Sequence, residues 1–240
     1  MFLGLYNYTT YLTYLNLLSG FFGISFAVVG KYTSSLIFLL LAGICDMFDG
    51  LVSRTKKNST IFEKRYGIQI DSLADMISFG ILPILINYSL IVPKTKEKES
   101  IMFLTRHTPF FYLIWFCWGL YLLAALIRLA YYNVLAESDN KSSKKFIGFP
   151  VTTVAMVFPF VGFLKMISKS LSLQINDVQI LNDVFWFWVH FVCIILLTFL
   201  FLCDKIILKK PKAKKTIIIV GIVGIIWIIF FVIMKIYPRK

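Results

Sequence analysis

Long apolar runs, separated by short charged or turn-rich segments, dominate this chain. A bilayer core is about 30 Å thick, and a helix needs about 20 mostly apolar residues to cross it. At that length the pattern predicts seven membrane-spanning helices, over residues 11–30, 34–54, 67–92, 108–134, 146–167, 184–203 and 216–237. Pro83 and Pro159 fall inside two of these spans. We expect both to kink their helices, because proline removes a backbone hydrogen bond.

The composition indicates the same class of protein. Hydrophobic residues make up 59% of the 240 residues and the mean hydropathy is +0.81, whereas soluble domains are about 45–50% apolar. The four cysteines lie inside apolar runs without paired spacing, so we interpret them as small core side chains rather than as disulfides or zinc ligands. The sequence predicts an all-α integral membrane protein: a membrane domain over 1–203, a basic loop over 204–215 and an additional C-terminal span within 216–240.

The net charge of +13 comes mainly from lysines and arginines in the loops between spans. Such loops bind anionic lipid headgroups and set orientation, so the charge does not predict a nucleic-acid partner. The loops at 55–66, 135–145 and 204–215, together with Arg54, carry 14 basic residues, against 10 on the opposite side. The bias predicts that the first set faces the cytoplasm.

Four of the twelve acidic residues, Asp46, Asp49, Asp71 and Asp75, fall inside predicted spans. An ionised aspartate at the centre of a span costs about 2.5–3.5 kcal/mol, so four of them need compensation. The first two are spaced i, i+3 and the last two i, i+4, which places each pair on one face of its helix. Asp46 and Asp75 both lie about 12 Å from the cytoplasmic ends of their spans. Adjacent antiparallel helices can therefore bring all four carboxylates to one pocket.

One or two divalent cations would neutralise such a cluster. Oxygen ligands select hard cations such as Mg²⁺, Mn²⁺ or Ca²⁺, and Mg²⁺ commonly binds alongside substrate phosphates. Gly50 leaves the backbone open to a bulky ligand, and Arg54 can offer a bidentate fork to phosphate. These residues together predict a diphosphate site near the membrane surface. A single one of these aspartates, taken alone, could equally be a helix-packing contact.

The two acidic pairs belong to a longer pattern that resembles the signature of the CDP-alcohol phosphotransferase family, D-x2-D-G-x2-A-R followed by G-x3-D-x3-D. Here it reads Asp46-x2-Asp49-Gly50-x2-Ser53-Arg54 and then Gly67-x3-Asp71-x3-Asp75. Serine replaces the usual alanine at position 53, and the spacer at 55–66 is longer than usual. The flanking segments YGIQIDSLADMISFGILP (66–83), IRLAYYN (127–133) and FIGFPVTT (146–153) resemble the phosphatidylserine synthase branch.

The resemblance implies a six-helix core, commonly homodimeric, whose polar cavity opens to the cytoplasm; the predicted seventh span would be an addition. It implies two Mg²⁺ or Mn²⁺ ions held by Asp46, Asp49, Asp71 and Asp75, with Asp75 also the general base. The nucleotide of the donor would lie near Gly50, Ser53, Arg54 and Gly67. The implied reaction transfers the phosphatidyl group of CDP-diacylglycerol to L-serine and releases CMP.

Alternatives remain open at this point. Arg128, about 9 Å from the cytoplasmic end of its span, could bind the carboxylate of serine, or it could pair with the acidic cluster or anchor the helix. Glycerol-3-phosphate or inositol phosphate could replace serine as the acceptor. A cation transporter also buries carboxylates, but it would place them near the membrane midplane rather than towards one side.

Overall fold

The computed structural model describes the chain over residues 4–53, 56, 60–91, 109–138, 145–147, 149–171, 176–205, 207–209, 224, 227, 229 and 230. Its elements, in chain order, are α1 Tyr8–Val28, α2 Tyr32–Ser53, α3 Ile61–Asp75, a π-helical segment Met76–Ile81, α4 Leu82–Ser89, α5 Pro109–Ser138, β1 Lys145–Ile147, a 3₁₀ turn Val151–Thr153, α6 Val154–Leu171, α7 Asn176–Leu202 and β2 Ile207–Lys209.

Six helical segments of the described chain are long and apolar enough to cross a membrane. They correspond to the first six predicted spans, so the prediction of an all-α membrane protein is confirmed. The predicted seventh span lies mostly outside the described residues. Its four described residues, Gly224, Trp227, Ile229 and Phe230, are helical. We refer to these four as the C-terminal segment.

Two span boundaries differ from the prediction. The third span begins at Ile61 rather than at residue 67, because Thr60 caps the helix and pairs with Glu63 in a capping box. The fifth begins at Val151 rather than at residue 146. The residues just before it form β1, which pairs antiparallel with β2 so that Lys145 lies opposite Lys209. This short ribbon, unexpected from the sequence, joins two loops that were predicted to lie on the same side of the membrane.

Helix α1 packs against α2, α3 and α4, and so contacts both of the helices that carry the acidic residues of the signature. Its buried face carries small or polar residues at helical spacing: Thr10, Thr13, Asn16, Gly20, Gly23 and Ala27. Small residues let helix backbones approach closely in a membrane. At Gly20, an added Cβ would lie 3.1 Å from the Cα of Ser78, and the Ser78 hydroxyl donates to the Asn16 carbonyl at 3.1 Å.

The π-helical segment immediately precedes Pro83, one of the two prolines predicted to disturb a span. Proline has no backbone N–H to donate to the carbonyl four residues earlier, which here is Phe79. The Tyr121 hydroxyl donates to that carbonyl at 2.7 Å. A fully buried side chain of α5 thus satisfies the group that Pro83 leaves unpaired. Pro159 lies inside α6, which continues through it.

A second buried polar group joins α2, α6 and α7 at the opposite end of the bundle. Lys165 forms an ion pair with Asp183 at 2.5 Å, and its amine lies 5.1 Å from the centre of the Tyr32 ring. The Tyr32 hydroxyl and His190 Nε2 are 3.0 Å apart. Tyr32 is 14 residues from Asp46 on α2, hence about 21 Å away along the helix. This group is therefore separate from the acidic cluster.

Candidate active site

The acidic residues of the signature meet across a cleft between α2 and α3. One carboxylate oxygen from each of Asp46, Asp49 and Asp71 lies within 4.8 Å of the others, a spacing at which the three could hold one metal ion. Carboxylates this close need a cation or a shared proton between them. The helical spacing of the acidic pairs thus brings three of the four predicted ligands into one group.

Asp75 is one helical turn further along α3 and lies outside that group of three. It is 5% exposed. The Nδ2 of Asn16 on α1 donates to Asp75 Oδ1 at 2.9 Å. Asp75 is therefore a buried member of the cluster that α1 holds through a direct hydrogen bond.

Two α1 residues that orient the aspartates were not predicted from the sequence. The Thr13 hydroxyl donates to Asp49 Oδ2 at 3.1 Å, and Asn16 donates to Asp75. Both belong to a series with Thr10 in which a polar residue recurs every third position on the apolar first span. Polar side chains on one face of a membrane helix usually mark contacts with other helices or with a site. The spacing of these three residues could therefore have indicated, from the sequence, that this face of α1 contacts the site.

The donor set fits a hard divalent cation. The Oδ1 atom of Asp71 is buried without a hydrogen-bond partner among the described residues. A buried, unpaired carboxylate oxygen is costly, and coordination to a cation would satisfy it. The group contains only carboxylate oxygens, which favour Mg²⁺ or Mn²⁺ over softer metals.

A polar pocket of about 460 Å³ opens beside the cluster, between the start of α1, the end of α2 and the first half of α3. Asp49 and Asp71 line its inner end, and Gly50, Ser53 and Gly67 line its walls. A Cβ added at either glycine would meet no atom within 4 Å. The packing of the protein therefore leaves the space over both glycines open to a ligand.

The mouth of this pocket carries charged residues from outside the signature. Lys56 pairs with Glu63 at 2.7 Å, and Glu63 also accepts from Asn7 Nδ2 at 3.2 Å. Ser53, predicted to lie beside the nucleotide, donates to the Gly50 carbonyl at 3.3 Å within its own helix. Arg54, predicted to bind phosphate, lies outside the described residues.

Arg128 is 4% exposed and is held by α5 and the chain before α6. Its Nε donates to the Phe149 carbonyl at 3.0 Å, and Nη2 donates to the Tyr132 hydroxyl at 2.6 Å. The guanidinium carbon lies 3.8 Å from the centre of the Tyr132 ring. The ion pairs found within the described residues are Lys56–Glu63 and Lys165–Asp183, so no described carboxylate neutralises Arg128. The described contacts thus do not support a pairing of Arg128 with the acidic cluster.

Comparison with known proteins agrees with the geometry of the site. Residues 6–176 match the family model described as CDP-alcohol phosphatidyltransferase. A CDP-diacylglycerol–serine O-phosphatidyltransferase of Saccharomyces cerevisiae is 32% identical over 160 residues, which cover 61% of this chain and 50% of that protein. An archaetidylserine synthase of Methanothermobacter thermautotrophicus is 28% identical over 176 residues, covering 72% of this chain and 66% of that protein.

A third relative, a CDP-diacylglycerol–serine O-phosphatidyltransferase of Bacillus subtilis, is 24% identical over 148 residues, covering 62% of this chain and 71% of that protein. The chain spans about half of the yeast relative and two thirds of the archaeal one. The family match covers α1 to α6, including both halves of the acidic signature, and stops before the C-terminal segment. The resemblance expected from the signature is thereby confirmed: this integral membrane protein belongs to the CDP-alcohol phosphatidyltransferase family.

Proposed function

We propose that this protein transfers the phosphatidyl group of CDP-diacylglycerol to L-serine, with release of CMP, at a site that faces the cytoplasm. The observation that carries the proposal is the group of three carboxylates at metal-ligand spacing, two of which, Asp49 and Asp71, line a polar pocket. The choice of serine rests on the relatives. Their names differ in the lipid, phosphatidyl or archaetidyl, and share serine.

Asp46, Asp49 and Asp71 would hold Mg²⁺ or Mn²⁺, and Asp75 would complete the set of acidic residues around two ions. The cations would supply charge neutralisation for the diphosphate of the donor and for the departing CMP. The open backbone at Gly50 and Gly67 would admit the CDP group, with Ser53 and Arg54 beside it. The donor's lipid tails would stay at the depth of the membrane's hydrocarbon core, which explains a site only about 12 Å from the cytoplasmic ends of the helices.

Asp75 is the proposed general base. It would accept the proton of the serine hydroxyl as that oxygen forms a bond to the phosphorus bearing diacylglycerol, and the bond from this phosphorus to the CMP oxygen would break. The hydrogen bond from Asn16 to Oδ1 would help to hold the Asp75 carboxylate in one orientation. The position of Asp75 just beyond the group of three supports this separate role.

Arg128 is the proposed partner of the serine carboxylate. It is a buried cation, and no described carboxylate neutralises it. The Tyr132 contacts hold its guanidinium in one orientation, which suits bidentate recognition of a carboxylate.

A homodimer, implied by the family resemblance, is also proposed, and crosslinking in membranes would test it.

The experiment that tests the reaction uses purified protein with CDP-diacylglycerol, Mn²⁺ or Mg²⁺, and one acceptor at a time: L-serine, glycerol-3-phosphate or inositol phosphate. CMP release should require serine and yield phosphatidylserine. An ether-linked CDP-archaeol donor in parallel would identify the lipid class. CMP release with a phosphorylated acceptor but not with serine would overturn the assignment of serine. Cation flux without CMP release would favour the transporter instead.

A further inference from the structure

A second cavity, of about 320 Å³, borders the acidic cluster and takes no part in the function proposed above. Asp46 lies at one end of it, together with Thr152 and Thr153. The remaining walls are almost entirely apolar and come from α2, α6 and the C-terminal segment. They include Leu40, Ile44, Met47, Ala155, Met156 and Trp227.

The cavity extends from the cluster towards the middle of the membrane. Along α2 it is lined from Met47 back to Leu40, and Leu40 is six residues, hence about 9 Å, deeper than Asp46. On the other side it is lined from Pro150, just before the 3₁₀ turn, inward to Met156 on α6. On both sides the lining of the cavity is therefore polar next to the carboxylates and apolar deeper in the membrane.

The C-terminal segment closes one side of this cavity. The Trp227 ring stacks on Phe160 and Phe163 of α6, with centroid distances of 6.0 and 6.1 Å. A Cβ added at Gly224 would lie 3.2 Å from Ile44 Cδ1, so the segment also approaches α2 closely. These residues lie beyond residues 6–176, which match the family model. The wall is thus a feature of this chain outside the shared core.

We infer that this cavity holds one acyl chain of the donor lipid and that Trp227 limits the length of chain that fits. The inference rests on the proposed function, since it requires a donor whose diphosphate lies at the carboxylates. The glycerol backbone is attached directly to that diphosphate, so an acyl chain must start next to Asp46. An apolar cavity that begins there and leads inward matches its path.

Selection by this cavity would depend on shape. An acyl chain gains little hydrophobic free energy on moving from the bilayer into the protein, because lipid tails are as apolar as the cavity walls. A chain that is too long must displace the stacked Trp227, and overpacking of this kind is unfavourable. A bulk phospholipid has no diphosphate to place at the carboxylates, so it should not occupy the cavity in preference to the donor.

Photocrosslinking tests the location without requiring turnover. One probe is CDP-diacylglycerol with a diazirine at the end of one acyl chain, and the other is phosphatidylcholine with the same chain. The CDP-diacylglycerol probe should label peptides containing Met156 or Trp227, and the phosphatidylcholine probe should not. Labelling spread over the outer surfaces of α5 and α7, or equal labelling of the cavity by both probes, would overturn the inference.

Chain-length preference tests the role of Trp227. Trp227→Ala should raise the ratio of kcat/KM for long-chain over short-chain CDP-diacylglycerol by about tenfold, the lower end of the discrimination that one methylene gives in an apolar pocket. Phe230→Ala is the matched control, because Phe230 also packs on Phe163 but does not line the cavity. Equal ratios in the two variants would refute the role of Trp227. Cavity labelling without any transfer to serine would refute the proposed reaction and leave this inference standing.

Discussion

We predict that Gly50 and Gly67 are needed for binding the donor but not for folding. Substitutions of Gly67 test this directly. Both glycines lie within helices and line the polar pocket, and an added Cβ at either would meet no atom within 4 Å. Glycine inside a helix destabilises it by about 0.5–1 kcal/mol relative to alanine. The packing of the protein therefore gives no reason for either glycine, and the ligand that we propose for this pocket does.

Gly67→Ala should raise the free energy of unfolding by about 0.5–1 kcal/mol, through helix propensity alone. Gly67→Leu should retain the fold and place a branched side chain in the pocket of about 460 Å³. Overpacking against a bound ligand costs about 1–3 kcal/mol, which corresponds to a loss of about 5- to 150-fold in kcat/KM for the donor. Filling the space over Gly67 should thus not lower the stability of the fold, whereas the larger side chain should lower the activity.

The assay combines thermal unfolding in detergent with CMP release at several donor concentrations. Gly119→Ala is the matched control, because Gly119 lies within α5, faces outward and also has no atom within 4 Å of an added Cβ. That variant should be stabilised by a similar amount with unchanged activity. Normal donor kinetics in Gly67→Leu would show that the open space over Gly67 is not a ligand site. A loss of stability in Gly67→Ala would show that the glycine serves packing.

Three further predictions address the aspartates and the distant polar group. Asp75→Asn should abolish transfer while CDP-diacylglycerol still binds, and near-normal turnover would remove Asp75 from its role as base. Asn16→Leu should lower kcat by about 10- to 150-fold, since a hydrogen bond to a charged group contributes about 1.5–3 kcal/mol. Asn87→Leu is the control: it removes buried hydrogen bonds away from the site, so it should reduce stability and leave kcat unchanged. Lys165→Met should lower the free energy of unfolding by up to about 3–5 kcal/mol because it removes the cation that forms an ion pair with Asp183, and the added change Asp183→Leu should restore most of it. Equal unfolding temperatures for the single and double variants would contradict this.

The sequence was sufficient to predict the first six spans because each apolar run has the length that a bilayer requires. It was less reliable at the ends of helices, where apolarity no longer decides. The start at Ile61 was readable from the capping pair Thr60 and Glu63, but the charged residues that follow were interpreted as a loop. The ribbon of β1 and β2 had no such signal, because three-residue strands in basic loops depend on a partner 62 residues away.

The acidic cluster could be predicted because helical periodicity alone fixes which aspartates share a face. Its support from α1 could not be predicted with the same certainty, since Thr13 and Asn16 face the cluster only through the packing of a third helix. The apolar cavity beside Asp46 was out of reach for the same reason. Its walls come from three segments far apart in the chain, and the hydrophobic pattern shows only that each segment is buried or lipid-facing.

The most direct measurement is Mn²⁺ binding by electron paramagnetic resonance, made on the same purified samples in which transfer to serine is assayed. The protein stripped with EDTA should be inactive and should regain activity as Mn²⁺ binds. Asp46→Asn, Asp49→Asn and Asp71→Asn should each weaken Mn²⁺ binding and transfer together. Full transfer to serine in excess EDTA, or Mn²⁺ binding that none of these substitutions changes, would contradict the assignment of the carboxylate group as the metal centre.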